Sequence, residues 1–221
     1  MESITTFFKH LLPLAFVVLM AGSCSGDSTK SDEDNYPPRA PREAPEGCVD
    51  MGGDIFWAEC NLGASSPEKI GYLYKWGETS PSKVQEEKYY TFWSSESNEY
   101  TKYNSKDKKR VLEPVDDAVT AELGEGWRTP TVQEWNFLIN HCDCENWAVK
   151  GKEQGVILTS RITGECLYLY ADYNNGCLWT ATLYDIEDAH ITYVHRYSTA
   201  IDCWSALGPR YYLLAIRPVH D

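Results

Sequence analysis

The sequence is short of positive charge. It has 20 Lys and Arg against 33 Asp and Glu, a formal net charge of −13. Phosphate backbones need a basic face, so this charge speaks against DNA or RNA as a partner, and none is expected. It also lacks a long hydrophobic run: Leu11 to Met20 is only ten residues, and a spanning helix needs about 20. No His-Glu-x-x-His pattern, Ser-His-Asp set or second Cys pair is present. Cys142-Asp143-Cys144 beside His141 therefore stands alone, where zinc needs about four ligands from two spaced pairs. No metal and no cofactor is expected. What remains is a chain of 221 residues, 43% hydrophobic and 13% aromatic, in the range of a folded globular domain.

The N-terminal stretch reads as an export signal. Lys9 and His10 precede the apolar run, and Ala21, Gly22 and Ser23 follow it. Cys24 comes next, and Ala21-Gly22-Ser23-Cys24 resembles the lipobox of bacterial lipoproteins, which implies acylation of Cys24. The alternative is an ordinary signal cut near Ala21. Residues 1–23 are thus a lipoprotein signal peptide. Residues 24–46 are polar, carry Asp32-Glu33-Asp34 and several prolines, and read as a flexible acidic tether. Several acyl chains give a stable membrane anchor. An acidic tether after the Cys is similar to those of outer-membrane lipoproteins on the cell surface of Gram-negative bacteria.

Residues 47–221 are expected to form one domain. Asp54 to Cys60 and Gly71 to Trp76 read as strands, and residues 79–110 as a long surface loop pinned by aromatics. A first helix is predicted from about Asp117 to Leu123, with Gly124 ending it. The second has the strongest local code. Thr131 and Glu134 form a capping box, and Trp135, Leu138, Ile139 and Cys142 follow at i, i+3, i+4, i+7. A helix from Thr131 to Cys142 results, with Cys142 and Cys144 on different faces. Trp147–Lys150 and Val156–Thr159 then read as a hairpin. Leu167–Tyr170, Leu178–Thr182, Ile191–Tyr197 and Tyr211–Val219 read as further strands. The class is α+β: two helices and several antiparallel strands.

Ordered pieces of this region resemble one family. They begin with Trp57-Ala58, Cys60-Asn61-Leu62-Gly63-Ala64 and Trp76-Gly77-Glu78. Pro114, Asp116-Asp117-Ala118 and Gly126-Trp127-Arg128-Thr129-Pro130-Thr131 with Glu134-Trp135 follow. Gly155-Val156-Ile157, Leu167-Tyr168-Leu169, Leu178-Trp179-Thr180-Ala181 and Arg217-Pro218-Val219 complete the series. This set resembles the Fibrobacter succinogenes major paralogous domain, found in bacterial surface lipoproteins. The resemblance implies a C-type lectin-like domain in which first and last strands pair, placing Ile55–Glu59 near Leu213–Arg217. It implies long ligand-side loops for glycan or extracellular protein ligands. Met51-Gly52-Gly53 departs from the family's Leu-Gly-Leu, and the stretch from Ala171 to Trp179 is short.

Tyr173, Asn174, Asn175 and Trp204 are the candidate ligand-binding residues, with Tyr211 and the Trp93 loop as further stacking aromatics. Asp172, Asp185, Glu187 and Asp188 could supply calcium oxygens, but such groups commonly form solvated turns. Glu113-Pro114-Val115 lacks the amide of calcium-dependent lectins. Seven cysteines follow Cys24, and a Cys166–Cys177 disulfide is expected in an oxidising compartment. Arg128 to Thr131 with Glu134-Trp135 is also similar to formylglycine-generating enzymes. Their Gly-Asn-Val-Trp-Glu-Trp stretch is missing here. The expectation is a non-enzymatic surface binding protein, with an oxidative enzyme or a structural surface component as alternatives.

Overall fold

The computed structural model describes residues 36–149, 152–171, 176–197 and 200–221. The expected signal peptide, Cys24 and most of the expected tether lie outside the described residues. Pro38–Asp221 is one compact unit.

The unit is α+β. Strands β1 (Cys48–Val49) and β2 (Phe56–Ala58) open it, and β3 (Trp93–Ser94) and β4 (Glu99–Tyr100) form a small hairpin. Helix α1 (Ala118–Leu123), β5 (Trp127–Arg128) and helix α2 (Val132–Asn140) follow. The remaining elements are strands: β6 (Cys142–Val149), β7 (Lys152–Ser160), β8 (Cys166–Tyr170), β9 (Cys177–Leu183), β10 (Asp188–Tyr197), β11 (Ala200–Pro209) and β12 (Val219–His220). One sheet runs β1-β2-β12-β5, one β11-β10-β9 and one β6-β7-β8. The last strand returns to the start of the domain: Val219 pairs with Trp57, and His220 with Phe56. The expected meeting of Ile55–Glu59 with the last strand is observed at Val219–His220 rather than at Leu213–Arg217, and it is β2, not the first strand β1, that pairs there.

Both helices form for the reasons legible in their residues. The Asp117 side chain accepts the Val119 N–H, and Gly124, at φ 90°, closes α1. Few other residues tolerate that φ. At α2 the Thr131 hydroxyl takes the Glu134 N–H, and the Glu134 carboxylate takes the Thr131 N–H at 2.7 Å. Trp135 and Leu138 are fully buried, and Trp135 packs edge-on against Trp57 at 4.5 Å.

Four expectations need correction. The helix does not reach Cys142; the chain turns at His141 and enters β6. Cys142 and Cys144 consequently share a sheet face, because strand side chains alternate. Gly71–Trp76 is no strand: only Tyr74 bridges, to Leu214. Tyr211–Val219 is not one strand either. It is an extended crossing that serves several partners in turn. Leu214 bridges Tyr74, Ala215 bridges Leu178, and the Ile216 and Pro218 carbonyls accept the Leu62 and Ala58 N–H groups. Lastly, residues 79–110 are more than surface. Tyr90, Tyr100 and Tyr103, which belong to this segment, are buried. β11 was not foreseen, since Ala200–Pro209 lacks clean alternation.

Two cores result. One gathers Trp57, Trp135, Leu138, Val156, Leu158, Leu167, Leu169 and Val194 between α2 and the strands. The other gathers Tyr74, Trp76, Tyr103, Trp179, Leu183 and Ile191 under the irregular segment.

Candidate functional site

Arg210 fixes the irregular side of the domain. Its guanidinium is fully buried. The Trp76, Tyr90, Tyr100 and Tyr103 rings surround it at 5.2, 5.3, 4.6 and 6.0 Å. Its N–H groups donate to Tyr90 Oη, to the Tyr103 and Ile186 carbonyls and to the Lys102 carbonyl. Ring faces and carbonyls thus compensate a buried cation, by quadrupole attraction and hydrogen bonding. Arg217 repeats the device. It donates to Asn61 Oδ1 and to the Ala58 and Tyr168 carbonyls, and burial lowers its pKa to about 10. Both arginines tie distant segments together.

The Arg210 knot fixes the surface next to it. Tyr211 and Tyr212 follow directly, half-buried, with ring centroids 5.2 Å apart and planes at 88°. The Arg210 N–H donates to the Glu187 carbonyl, and the Leu213 N–H to Gln85 Oε1 at 3.4 Å. Glu87 accepts the Tyr100 hydroxyl at 2.8 Å. Burial, then the nearby carboxylates Glu87, Asp188 and Glu187, raises the pKa of Tyr211. Burial, then Tyr211 and Asp188, raises that of Tyr212. Both phenols therefore keep their protons at neutral pH. Tyr89, exposed at 59%, lies in the same segment as Gln85 and Glu87. The surface offers aromatic faces for stacking beside carboxylate and amide groups for hydrogen bonding. That combination suits the C–H faces and hydroxyls of a sugar ring.

A second feature is a shallow apolar cavity of about 150 Å³ lined by Val111, Leu112, Pro114, Thr129 and Ala181. Its polar neighbours are engaged elsewhere. Asp117 accepts the Val119 and Thr129 N–H groups and the Thr129 hydroxyl. Arg128 is held by Glu134 and Asp221.

The residues singled out in the sequence fare unequally. Tyr173, Asn174 and Asn175 lie outside the described residues, as does the Trp204 side chain, although Trp204 falls in β11. The expected Cys166–Cys177 bridge is not formed. Both thiols are free, because Cys166 opens β8 in one sheet and Cys177 opens β9 in another. Asp185 Oδ1 accepts the Glu187 and Asp188 N–H groups at 2.9 and 2.8 Å, so this acidic run is a hydrogen-bonded turn. Among the described residues no group of three or more His, Cys, Asp or Glu is placed to hold a metal ion. Burial pushes the Cys142 thiol up to about 12. Of the stacking candidates, Trp93 instead packs edge-on against Tyr100 at 5.0 Å. Sequence reasoning missed Arg210 and the Tyr211–Tyr212–Glu87 grouping, although the aromatics interleaved through residues 79–110 were a partial signal.

A scan against family models found no match, and neither did searches of curated proteins and of solved structures.

Proposed function

We propose that this chain is a lipid-anchored cell-surface protein whose C-type lectin-like domain captures glycan or extracellular protein ligands, glycan being the better fit. Cys24 is the acylation site in this reading, and the acidic tether carries the domain away from the outer membrane. The ordered sequence pieces support the family assignment, as does the joining of β2 to β12. One observation carries the glycan reading: the Tyr211–Tyr212 ring pair beside Glu87 and Glu187. Aromatic faces next to acceptors recognise sugar rings without needing a deep pocket.

Array screening against glycans and matrix proteins, with wild type and Tyr211→Ala side by side, tests this. Loss of stacking should weaken a glycan hit about tenfold, the equivalent of one good aromatic contact. A wild-type chain that binds nothing on the array, or a Tyr211→Ala chain that binds as well as wild type, contradicts the glycan site.

A further inference from the structure

We propose that the arm of residues 38–46 is a latch, closed onto the domain by the single carboxylate of Asp50, and that only residues 24–37 stand between Cys24 and the folded unit. The sequence reads all of residues 24–46 as tether, but the compact unit begins at Pro38. Arg39 Nη1 and Nη2 donate to the two Asp50 oxygens at 2.7 and 3.1 Å. Arg42 adds its backbone N–H at 2.7 Å, Nε at 3.1 Å and Nη2 at 3.2 Å. Among the described residues the Gly52 N–H, at 3.0 Å, is the remaining donor to this carboxylate.

The contacts continue on both sides. Arg42 also donates to the Gly53 and Asp54 carbonyls and lies over the Phe56 ring at 4.4 Å. The Arg39 N–H donates to the Ile162 carbonyl at 2.8 Å, and the Thr163 hydroxyl to the Asp50 carbonyl at 2.8 Å. The arm, the β1–β2 loop and the turn after β7 therefore meet at one residue. The sequence suits this. Arg39 and Arg42 are three apart, and a proline-rich extended segment turns once in three residues, which sets such positions on one side. Pro38, Pro41 and Pro45 fix φ along the arm, so less chain entropy is lost when it docks.

Polar contacts, not apolar burial, keep the latch shut. Residues 38–43 are exposed, whereas the Asp50 side chain is fully enclosed. Opening the arm strips both cations from a buried carboxylate, and an uncompensated buried charge is strongly unfavourable. The reach of the domain follows, on the proposed reading of Cys24 as a lipid anchor. Residues 24–37 span at most about 48 Å at full stretch, against about 78 Å for residues 24–46. A closed latch holds the domain nearer its anchor.

Amide exchange and thermal melts on the full chain test the latch with or without lipid at Cys24, so failure of the latch and failure of the anchor are told apart. In wild type the Arg39 and Arg42 amides should exchange slowly. Asp50→Asn should speed both by about tenfold or more while β7 stays protected. Arg39→Gln with Arg42→Gln should lower the melting temperature, and adding Asp50→Asn to that pair should raise it again, because no charge is then buried alone. Arg42→Lys should also free the arm, since an ammonium lacks the fork that reaches Asp50 and the Gly53 carbonyl together. Should the arginine double variant fail to fold, exchange in wild type and Asp50→Asn decides. Wild-type Arg39 and Arg42 amides that exchange as fast as an unfolded chain overturn the proposal. So does an Asp50→Asn chain whose arm exchanges as slowly as wild type, or a triple variant that folds no better than a folded double variant.

Discussion

Trp135 and Arg210 are equally buried, yet they hold their halves of the domain by different means. Around Trp135 the elements are regular. α2 and the β6-β7-β8 sheet bury apolar side chains against one another, and transfer from water with close packing does the stabilising. Around Arg210 there is little regular structure. Loop carbonyls and tyrosine rings converge on one cation, so the segment is held by hydrogen bonds with a single hub. A packed core spreads its energy over many contacts. A hub concentrates it, and its loss leaves several buried carbonyls unpaired.

That contrast sets the order of effects. Arg210→Leu should cost the most, about 5 kcal/mol or more, because buried acceptors and Tyr90 Oη lose their donors at once. It should also disturb Tyr211 and Tyr212; urea unfolding and near-ultraviolet circular dichroism check both. Trp135→Ala should cost about 3–5 kcal/mol through loss of buried area and the cavity left behind. A cost under about 1 kcal/mol would place the stripe outside the core.

Asp50→Asn comes next. The Asp50 side chain is fully buried, taking Arg39 at 2.7 and 3.1 Å and the Arg42 N–H at 2.7 Å. Its pKa has burial pushing it up, but the arginine and backbone hydrogen bonds prevail and hold it well below the usual carboxylate range. A lowered folded pKa stabilises above the unfolded value near about 4, and the gain fades as pH falls further. The variant should therefore cost about 1–3 kcal/mol at pH 7 and progressively less below about pH 4. Asp117 has the opposite sign. Burial raises its pKa despite the Thr129 and Val119 hydrogen bonds, so its protonated form stabilises at low pH and that gain is lost as pH rises through the folded pKa. Denaturant midpoints measured across pH separate the two. Thr131→Ala should have the smallest effect, about 1 kcal/mol, by removing the α2 cap.

The Trp135 half was largely legible in the sequence because its instructions are local. A Thr-x-x-Glu box and an i, i+3, i+4 stripe each act within a few residues. The Arg210 half was not. Nothing near residue 210 announces that its cation will meet the carbonyls of Lys102, Tyr103 and Ile186. The same distance effect hid the crossing at Leu214–Pro218, whose bridges serve Tyr74 and Leu178. β6 was placed too late because Cys142 satisfies a helical stripe and a strand face equally well. Of the candidate site, Tyr211 was legible as a stacking aromatic. Its grouping with Tyr212 and Glu87 depends on the fold.

In the proposed function this domain works outside the cell, held by lipid at Cys24. Mass spectrometry of the native protein's N-terminus tests it most directly. The expected result is a chain beginning at Cys24 and carrying acyl groups. A native chain that begins at another residue, or bears no fatty acid, would contradict it.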